Sequence, residues 1–116
     1  MSPASLPQSE FPVDLSFLSP RMRDIAMRHT VATAVLGSEV SGHFRSLLAD
    51  IKEAMFLSEL IDLPKVSRHE KDVRLTFFFS ANAWLEAEPV DVEGQQWQQC
   101  HRLKLLYVYK DGARVV

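Results

Sequence analysis

The stretch RLTFFFSANAWLEAEPV, residues 74–90, places three consecutive phenylalanines inside an otherwise alternating run of apolar and polar residues. Side chains of a β-strand point to opposite faces with a period of two residues. Phe77 and Phe79 therefore share one face of the predicted strand, and Phe78 takes the other face. A sheet built around this strand carries large apolar side chains on both faces, so each face needs a cover or a partner.

The sequence after this strand predicts an antiparallel meander. Residues 83–92, AWLEAEPVDV, form a second candidate strand, which Pro89 makes an edge strand or a bulged one. Residues 95–109, QQWQQCHRLKLLYVY, read as a long third strand. Strict alternation places one set of its side chains on one face (His101, Leu103, Leu105, Tyr107, Tyr109) and the other set on the opposite face (Arg102, Lys104, Leu106, Val108). Asp111-Gly112 is a hairpin signal, and residues 113–116 can return as a short fourth strand.

Two helices are predicted before the sheet. Ser19 suits an N-cap, Pro20 suits the first helical position, and Gly37 suits the residue just past the end of the first helix. Spacings of three and four residues place one stripe on this helix (Met22, Ile25, His29, Ala32, Leu36). The stripe predicts that His29 is a hydrogen-bonded core histidine.

The second helix is expected to begin near Ser38 or Ser41 and to stop before Pro64. Its apolar face is compact as far as Met55 (Val40, Phe44, Leu47, Leu48, Ile51, Ala54, Met55). Further along, the apolar residues Phe56, Leu60 and Leu63 lie on the opposite side. Either the helix breaks around Leu57, with Ser58 capping a short second piece, or its end overhangs the domain and contacts another body.

This order of elements predicts an α+β domain over residues 19–116, with two helices packed on one face of a three- to four-stranded antiparallel meander. Residues 1–18 hold three of the six prolines and are interpreted as a flexible or extended arm. Two short helices cover only one sheet face. The other face, with Phe78, Trp84, Leu106 and Val108, is expected to bind a partner or to be covered by the arm.

The composition disfavours several classes of protein. The chain has 116 residues, a net charge of −2 and one cysteine, which disfavours nucleic-acid binding and excludes an intrachain disulfide. No apolar run approaches the roughly 20 residues that span a bilayer. The sequence therefore predicts a cytoplasmic protein that is not embedded in a membrane.

No pattern of catalytic or metal-ligating residues is present in the sequence. The four histidines lack metal-site spacing, and no glycine-rich phosphate loop, GxSxG turn or HExxH helix occurs. Glu86 and Glu88 share one strand face and are interpreted as charges that protect an edge strand from aggregation. We therefore predict no enzymatic activity and no cofactor. Small-molecule binding and a DNA-binding helix-turn-helix around Gly37 stay open as alternatives.

The layout resembles a known family. A short chain with a proline-rich arm, the paired helices RMRDIAMRHTVATAVLG (residues 21–37) and HFRSLLADIKEAMFLSELI (residues 43–61), and no catalytic signature looks like a small antiactivator of LuxR-type quorum-sensing regulators, of the QslA kind. The resemblance implies a homodimeric protein that binds the ligand-binding domain of such a regulator and prevents the regulator from dimerising on DNA. The predicted contact residues, for the homodimer or for the partner, come from the apolar pattern (Phe56, Leu60, Leu63, Phe78, Trp84).

Overall fold

The protein has an α+β fold, seen in a computed structural model that describes residues 13–69, 72–90 and 92–116. Within these ranges the chain forms three α-helices, two short 3₁₀ helices and a six-stranded mixed sheet. The predicted α+β class is confirmed. The predicted details were wrong in two respects, since a third helix is present and the sheet has more strands, one of them parallel to its neighbour.

The predicted first helix is two helices, α1 (Pro20–Met27) and α2 (His29–Leu36). Both predicted ends are confirmed: the Ser19 hydroxyl accepts a hydrogen bond from the Met22 N–H at 3.1 Å, and Gly37 ends α2 with φ +86°. Between the two helices Arg28 is extended, at φ −113° and ψ 110°. This break turns the chain, so His29 leaves the predicted stripe and is exposed instead of lying in the core.

Removal of the Ser19 cap should have a measurable cost. Ser19→Ala leaves the Met22 N–H without its side-chain acceptor, and we expect a loss of about 1 kcal/mol in the free energy of unfolding, measured by urea denaturation. Ser38→Ala is the matched control, because Ser38 also lies at the start of a helix but the N-cap there is Gly37. An equal decrease in the free energy of unfolding in the two variants would contradict the role of Ser19 as a cap.

The second predicted helix corresponds to α3 (Ser38–Glu53), which ends earlier than expected. Ala54 is extended, and a 3₁₀ helix, Leu57–Glu59, follows. Ser58 lies inside this turn and Phe56 takes the N-cap position, so the predicted capping role of Ser58 is wrong. The Glu59 carboxylate accepts a hydrogen bond from the Met55 N–H at 2.9 Å and holds this turn. The overhanging-helix alternative is therefore wrong. The chain breaks before Leu57 because turning there places the Leu57 side chain fully inside the core.

The sheet has the order β1-β5-β4-β3-β2, and β6 pairs with β5. Its strands are β1 (Asp14–Phe17), β2 (Lys65–His69), β3 (Asp72–Ser80), β4 (Ala83–Pro89), β5 (Arg102–Lys110) and β6 (Ala113–Arg114). The sequence did not predict β2, which lies in a charged connection, or β1, which forms from the last residues of the predicted arm. β1 is parallel to β5, whereas the other pairs are antiparallel. Residues 1–12 of the predicted arm lie outside the described residues.

The predicted third strand begins later than expected, because residues 94–99 form the second 3₁₀ helix. A register shift between Glu86 and Ala87 also changes which β5 side chains share a face. Val108 pairs with Leu85 and is buried, whereas Tyr107 and Tyr109 face away from the core. Strict alternation assigned these three residues to the wrong faces. The hairpin at Asp111-Gly112 is confirmed, with φ of 54° and 80° at these residues.

The core lies between the three helices and one face of the sheet. Phe77 is 2% exposed, and the Phe79 ring centre lies 5.1 Å from that of Phe44 on α3. Phe78 points to the opposite face, as predicted, and is 57% exposed. We call this opposite face the outer face. In the described part of the chain, none of the helices has the length and apolar character needed to cross a bilayer.

Candidate functional site

Three of the predicted contact residues meet in one groove. Leu60, Leu63 and Phe78 line a groove of about 430 Å³ between α3, residues 60–63 and the end of β3. We call it the apolar groove. Its other lining residues are Phe77 and Phe79 on β3, Leu47, His43, Ser46 and Asp50 on α3, and Ile61 and Asp62 on the connecting segment.

The end of α3 explains why this groove exists. The turn at Leu57–Glu59 anchors the chain through the buried Leu57 and leaves residues 60–63 beside α3. The pairing of β2 with β3 stops at Lys65 and Thr76, so residues 77–79 extend beyond β2 and form the far wall of the groove. Ile61 is 99% exposed and Leu63 is 58% exposed. Large apolar side chains are therefore presented to solvent at its opening.

An aromatic row continues from the groove across the outer face. Register places Phe78, Trp84 and Tyr109 side by side on β3, β4 and β5. The Phe78 and Trp84 ring centres are 5.8 Å apart with an interplanar angle of 48°, and Trp84 stacks on Tyr109 at 5.1 Å and 11°. Aromatic cross-strand pairs of this kind stabilise a sheet and also present a rigid apolar surface. Phe78 belongs to both the apolar groove and the aromatic row, so the two form one continuous surface.

Charged residues border the aromatic row on the outer face. Arg74 and Glu86 form an ion pair at 3.4 Å, and the Arg114 guanidinium lies 4.8 Å from the centre of the Tyr107 ring. Glu86 and Glu88 share this face, as predicted. However, β4 lies between β3 and β5, so their interpretation as protection of an edge strand is wrong. Glu86 instead neutralises an arginine beside the apolar surface.

Phe56, the remaining predicted contact residue, lies apart from the apolar groove. Its ring centre is 5.3 Å from that of His101, and the side chain is 37% exposed. The extended backbone from Ala54 to Phe56 directs it towards the start of β5 instead of towards Leu60 and Leu63. The structure thus brings together four of the five predicted residues: Leu60, Leu63, Phe78 and Trp84.

Sequence reasoning missed several residues of this surface. Tyr109 was assigned to the other face because strict alternation was continued through Leu105 and Leu106, two consecutive buried residues at the register shift. Leu47 was assigned to the apolar face of the second helix, and Ile61 was not singled out. Asp62 was not singled out either, and nothing in the pattern places it across a groove from Asp50.

The alternative functions find less support in the geometry. Ser41, a polar residue that a helix-turn-helix would present to DNA, is fully buried, and its hydroxyl lies 3.3 Å from that of Thr33. Arg45 is hydrogen-bonded to His29 at 3.1 Å. A second groove of about 470 Å³, between β1 and α3, is lined by cations and acids in equal number (Arg45, Lys52, Asp14, Glu53) around an apolar floor. Within the described ranges, no group of three or more His, Cys, Asp or Glu side chains could hold a metal ion.

Comparison with known proteins adds no relative. The chain matches no protein-family model, no curated protein and no solved structure.

Proposed function

We propose that this protein is a non-enzymatic regulator that acts by binding another protein through the apolar groove and the aromatic row. The observation that carries the proposal is the continuity of this surface. Leu63, Phe78 and Trp84 lie on it together, and Leu63 and Phe78 are more than half exposed. An exposed apolar surface of this extent commonly marks an interaction site in a water-soluble domain.

The chemistry of the surface suits protein recognition. Binding energy in protein interfaces concentrates in a few aromatic and arginine side chains at a centre from which water is excluded. On the outer face, Trp84 lies beside Phe78, and Tyr109 stacks on Trp84. Arg74 lies further along β3, paired with Glu86. The apolar groove beside them can receive apolar side chains of a partner segment. The row and the groove together therefore provide anchors and a pocket for a protein partner.

The resemblance described above suggests the partner. We propose that the partner is the ligand-binding domain of a LuxR-type transcriptional regulator in the cytoplasm, and that binding blocks the regulator's own dimerisation and its binding to DNA. An apolar surface with aromatic anchors can compete with the equivalent surface of a second regulator subunit. In this proposal the protein itself is a homodimer.

The double variant Leu63→Ser/Phe78→Ser tests this function. Truncation of two central anchors is expected to cost at least about 2 kcal/mol of binding, or about 30-fold in Kd. The measurement is competition: a LuxR-type regulator is bound to its DNA site, and each purified protein is titrated in while regulator–DNA binding is followed by fluorescence anisotropy. Light scattering of the same samples reports the oligomeric state of each species.

Met27→Ser is the matched control, since Met27 on α1 is an exposed apolar side chain outside the proposed surface. It should release the regulator from DNA as well as the unmodified protein does. Release by the double variant at the same concentration as the unmodified protein would rule out the proposed surface. Failure of the unmodified protein to release any LuxR-type regulator would rule out that class of partner.

A further inference from the structure

We infer that the partner segment received by the apolar groove is a basic amphipathic segment, with leucine-like side chains on one side and lysine or arginine beside them. This inference rests on the proposed function and specifies the chemistry of its partner. The inference rests on the charged residues around the apolar groove, which are not part of the argument for the proposed function.

The charged residues that line the apolar groove are both acids. Asp50 lies on the α3 wall and Asp62 on the opposite segment, and both are exposed. A shallower groove of about 250 Å³ continues from it past Leu60 and Ile61, and its charged residues are Asp50, Glu53 and Glu59. Among the described residues that line either groove, none is a lysine or an arginine.

This arrangement favours a cationic partner for electrostatic reasons. Four carboxylates border an apolar floor, so an acidic segment placed there would meet like charges, and each close like-charge pair opposes binding. Lysine or arginine beside the apolar side chains would meet Asp50 and Asp62 and would also speed association at low salt. The second groove, between β1 and α3, has no such bias because its cations and acids are equal in number.

The first residues of this same chain lack the required chemistry. Residues 1–12, MSPASLPQSEFP, contain one glutamate and no lysine or arginine. A second copy of the chain is the other competing occupant, because α1 carries Arg21 and Arg23 with the exposed Met27 at its end. The experiment below separates this occupant from a partner segment.

Two synthetic peptides provide the test. Each has about 15 residues, enough for four helical turns, with leucine on one face and either lysine or glutamate on the other. Binding of the labelled peptides to the purified full chain is measured by fluorescence anisotropy at about 50 mM and 500 mM salt. We expect the lysine peptide to bind at least tenfold more tightly than the glutamate peptide at low salt, with the difference reduced at high salt.

Charge-reversal variants test which acids cause the preference for the lysine peptide. Asp50→Lys/Asp62→Lys should remove the preference for the lysine peptide or reverse it. Asp72→Lys/Glu93→Lys changes the net charge of the chain equally, at exposed positions outside the lining of both grooves. This variant should keep at least half of the preference for the lysine peptide, expressed as the logarithm of the ratio of the two Kd values. Equal binding of the two peptides to the unmodified chain, or an equal effect of the two charge reversals, would overturn the inference.

Failure of this inference is distinguishable from failure of the proposed function. If both peptides bind equally and Leu63→Ser weakens both, the groove binds apolar segments without regard to charge, and only the inference is lost. If Leu63→Ser changes neither peptide's affinity, the groove is not the binding surface and the proposed function is lost as well. A dimer in light scattering that Leu63→Ser separates into monomers would assign the groove to a second copy and overturn the inference.

Discussion

Phe77→Ala is expected to lower the free energy of unfolding by about 3–5 kcal/mol, whereas Phe78→Ala, one residue away, should lower it by no more than about 1.5 kcal/mol. The difference follows from the pleat of β3. Phe77 is 2% exposed and packs in the core, so its truncation leaves a cavity under the helices. Phe78 is 57% exposed and loses only its contact with Trp84 and part of its apolar contact area.

Urea denaturation followed by circular dichroism measures both variants. Phe77→Ala is also expected to retain the native sheet at low urea, since a domain of this size commonly has a stability of about 5–15 kcal/mol. Comparable losses in the two variants would show that both faces of β3 are buried in solution. The outer face would then have a cover, and the proposed binding surface would not be free.

Leu57→Asp should have a larger effect and leave the protein largely unfolded. Leu57 is fully buried in the main core and anchors the turn after α3. An ionised carboxylate without a partner in such a site costs several kcal/mol in addition to the lost apolar contacts. We expect loss of the native far-UV spectrum and of dispersed amide signals in proton NMR at room temperature.

Ile61→Asp is the matched control, because it introduces the same side chain four residues away at a position that is 99% exposed. Its stability should change by less than about 0.5 kcal/mol. Leu57→Ala provides a variant that can fold, with an expected loss of about 2–5 kcal/mol from the removed apolar atoms and the cavity that they leave. A Leu57→Ala loss below 1 kcal/mol would contradict the position of Leu57 in the core.

Local signals predicted the parts of the fold that depend on neighbouring residues. Ser19 marks the start of a helix because a side-chain oxygen is needed there to accept a backbone N–H. Gly37 marks the end of a helix because a positive φ is needed there. Asp111-Gly112 marks a hairpin for a similar reason. The division of Phe77 and Phe79 from Phe78 follows from the strand period alone, and it was sufficient to predict an apolar outer face.

The strands and the register shift that the sequence did not predict depend on pairing between distant residues. β1 alternates between polar and apolar residues but is only four residues long, and β2 has no strong alternating pattern, so both form strands because β5 and β3 offer open edges. The register shift opposite Glu86 is likewise a property of two strands together. It moves Val108 into the core and Tyr109 to the outer face, and strict alternation missed it although Leu105 and Leu106 interrupt the pattern of β5 at this point.

The candidate site also has a part that the sequence predicted and a part that only the structure shows. The apolar pattern selected Leu60, Leu63, Phe78 and Trp84 because they do not fit the core-facing stripe of a helix or strand. Their grouping into one groove required the break after Glu53, whereas the sequence offered a break near Leu57 and a continuous helix as equal alternatives. Asp50 and Asp62 come together only once the chain has turned, so the acidic character of the groove is visible in the structure but not in the sequence.

The parallel pairing of β1 with β5 has a consequence for how the chain acquires its structure. Asp14 to Phe17 lie alongside Arg102 to Leu105, so most of the described sequence must be synthesised before this contact can form. Contacts between distant segments are slow to form because a long loop has to close first. During synthesis on the ribosome, the segment that becomes β1 therefore has no β5 to pair with, whereas the residues of the helices and of the β3–β4 hairpin are already present. Its docking onto β5 requires Arg102–Leu105, so it cannot precede the synthesis of nearly all the described sequence.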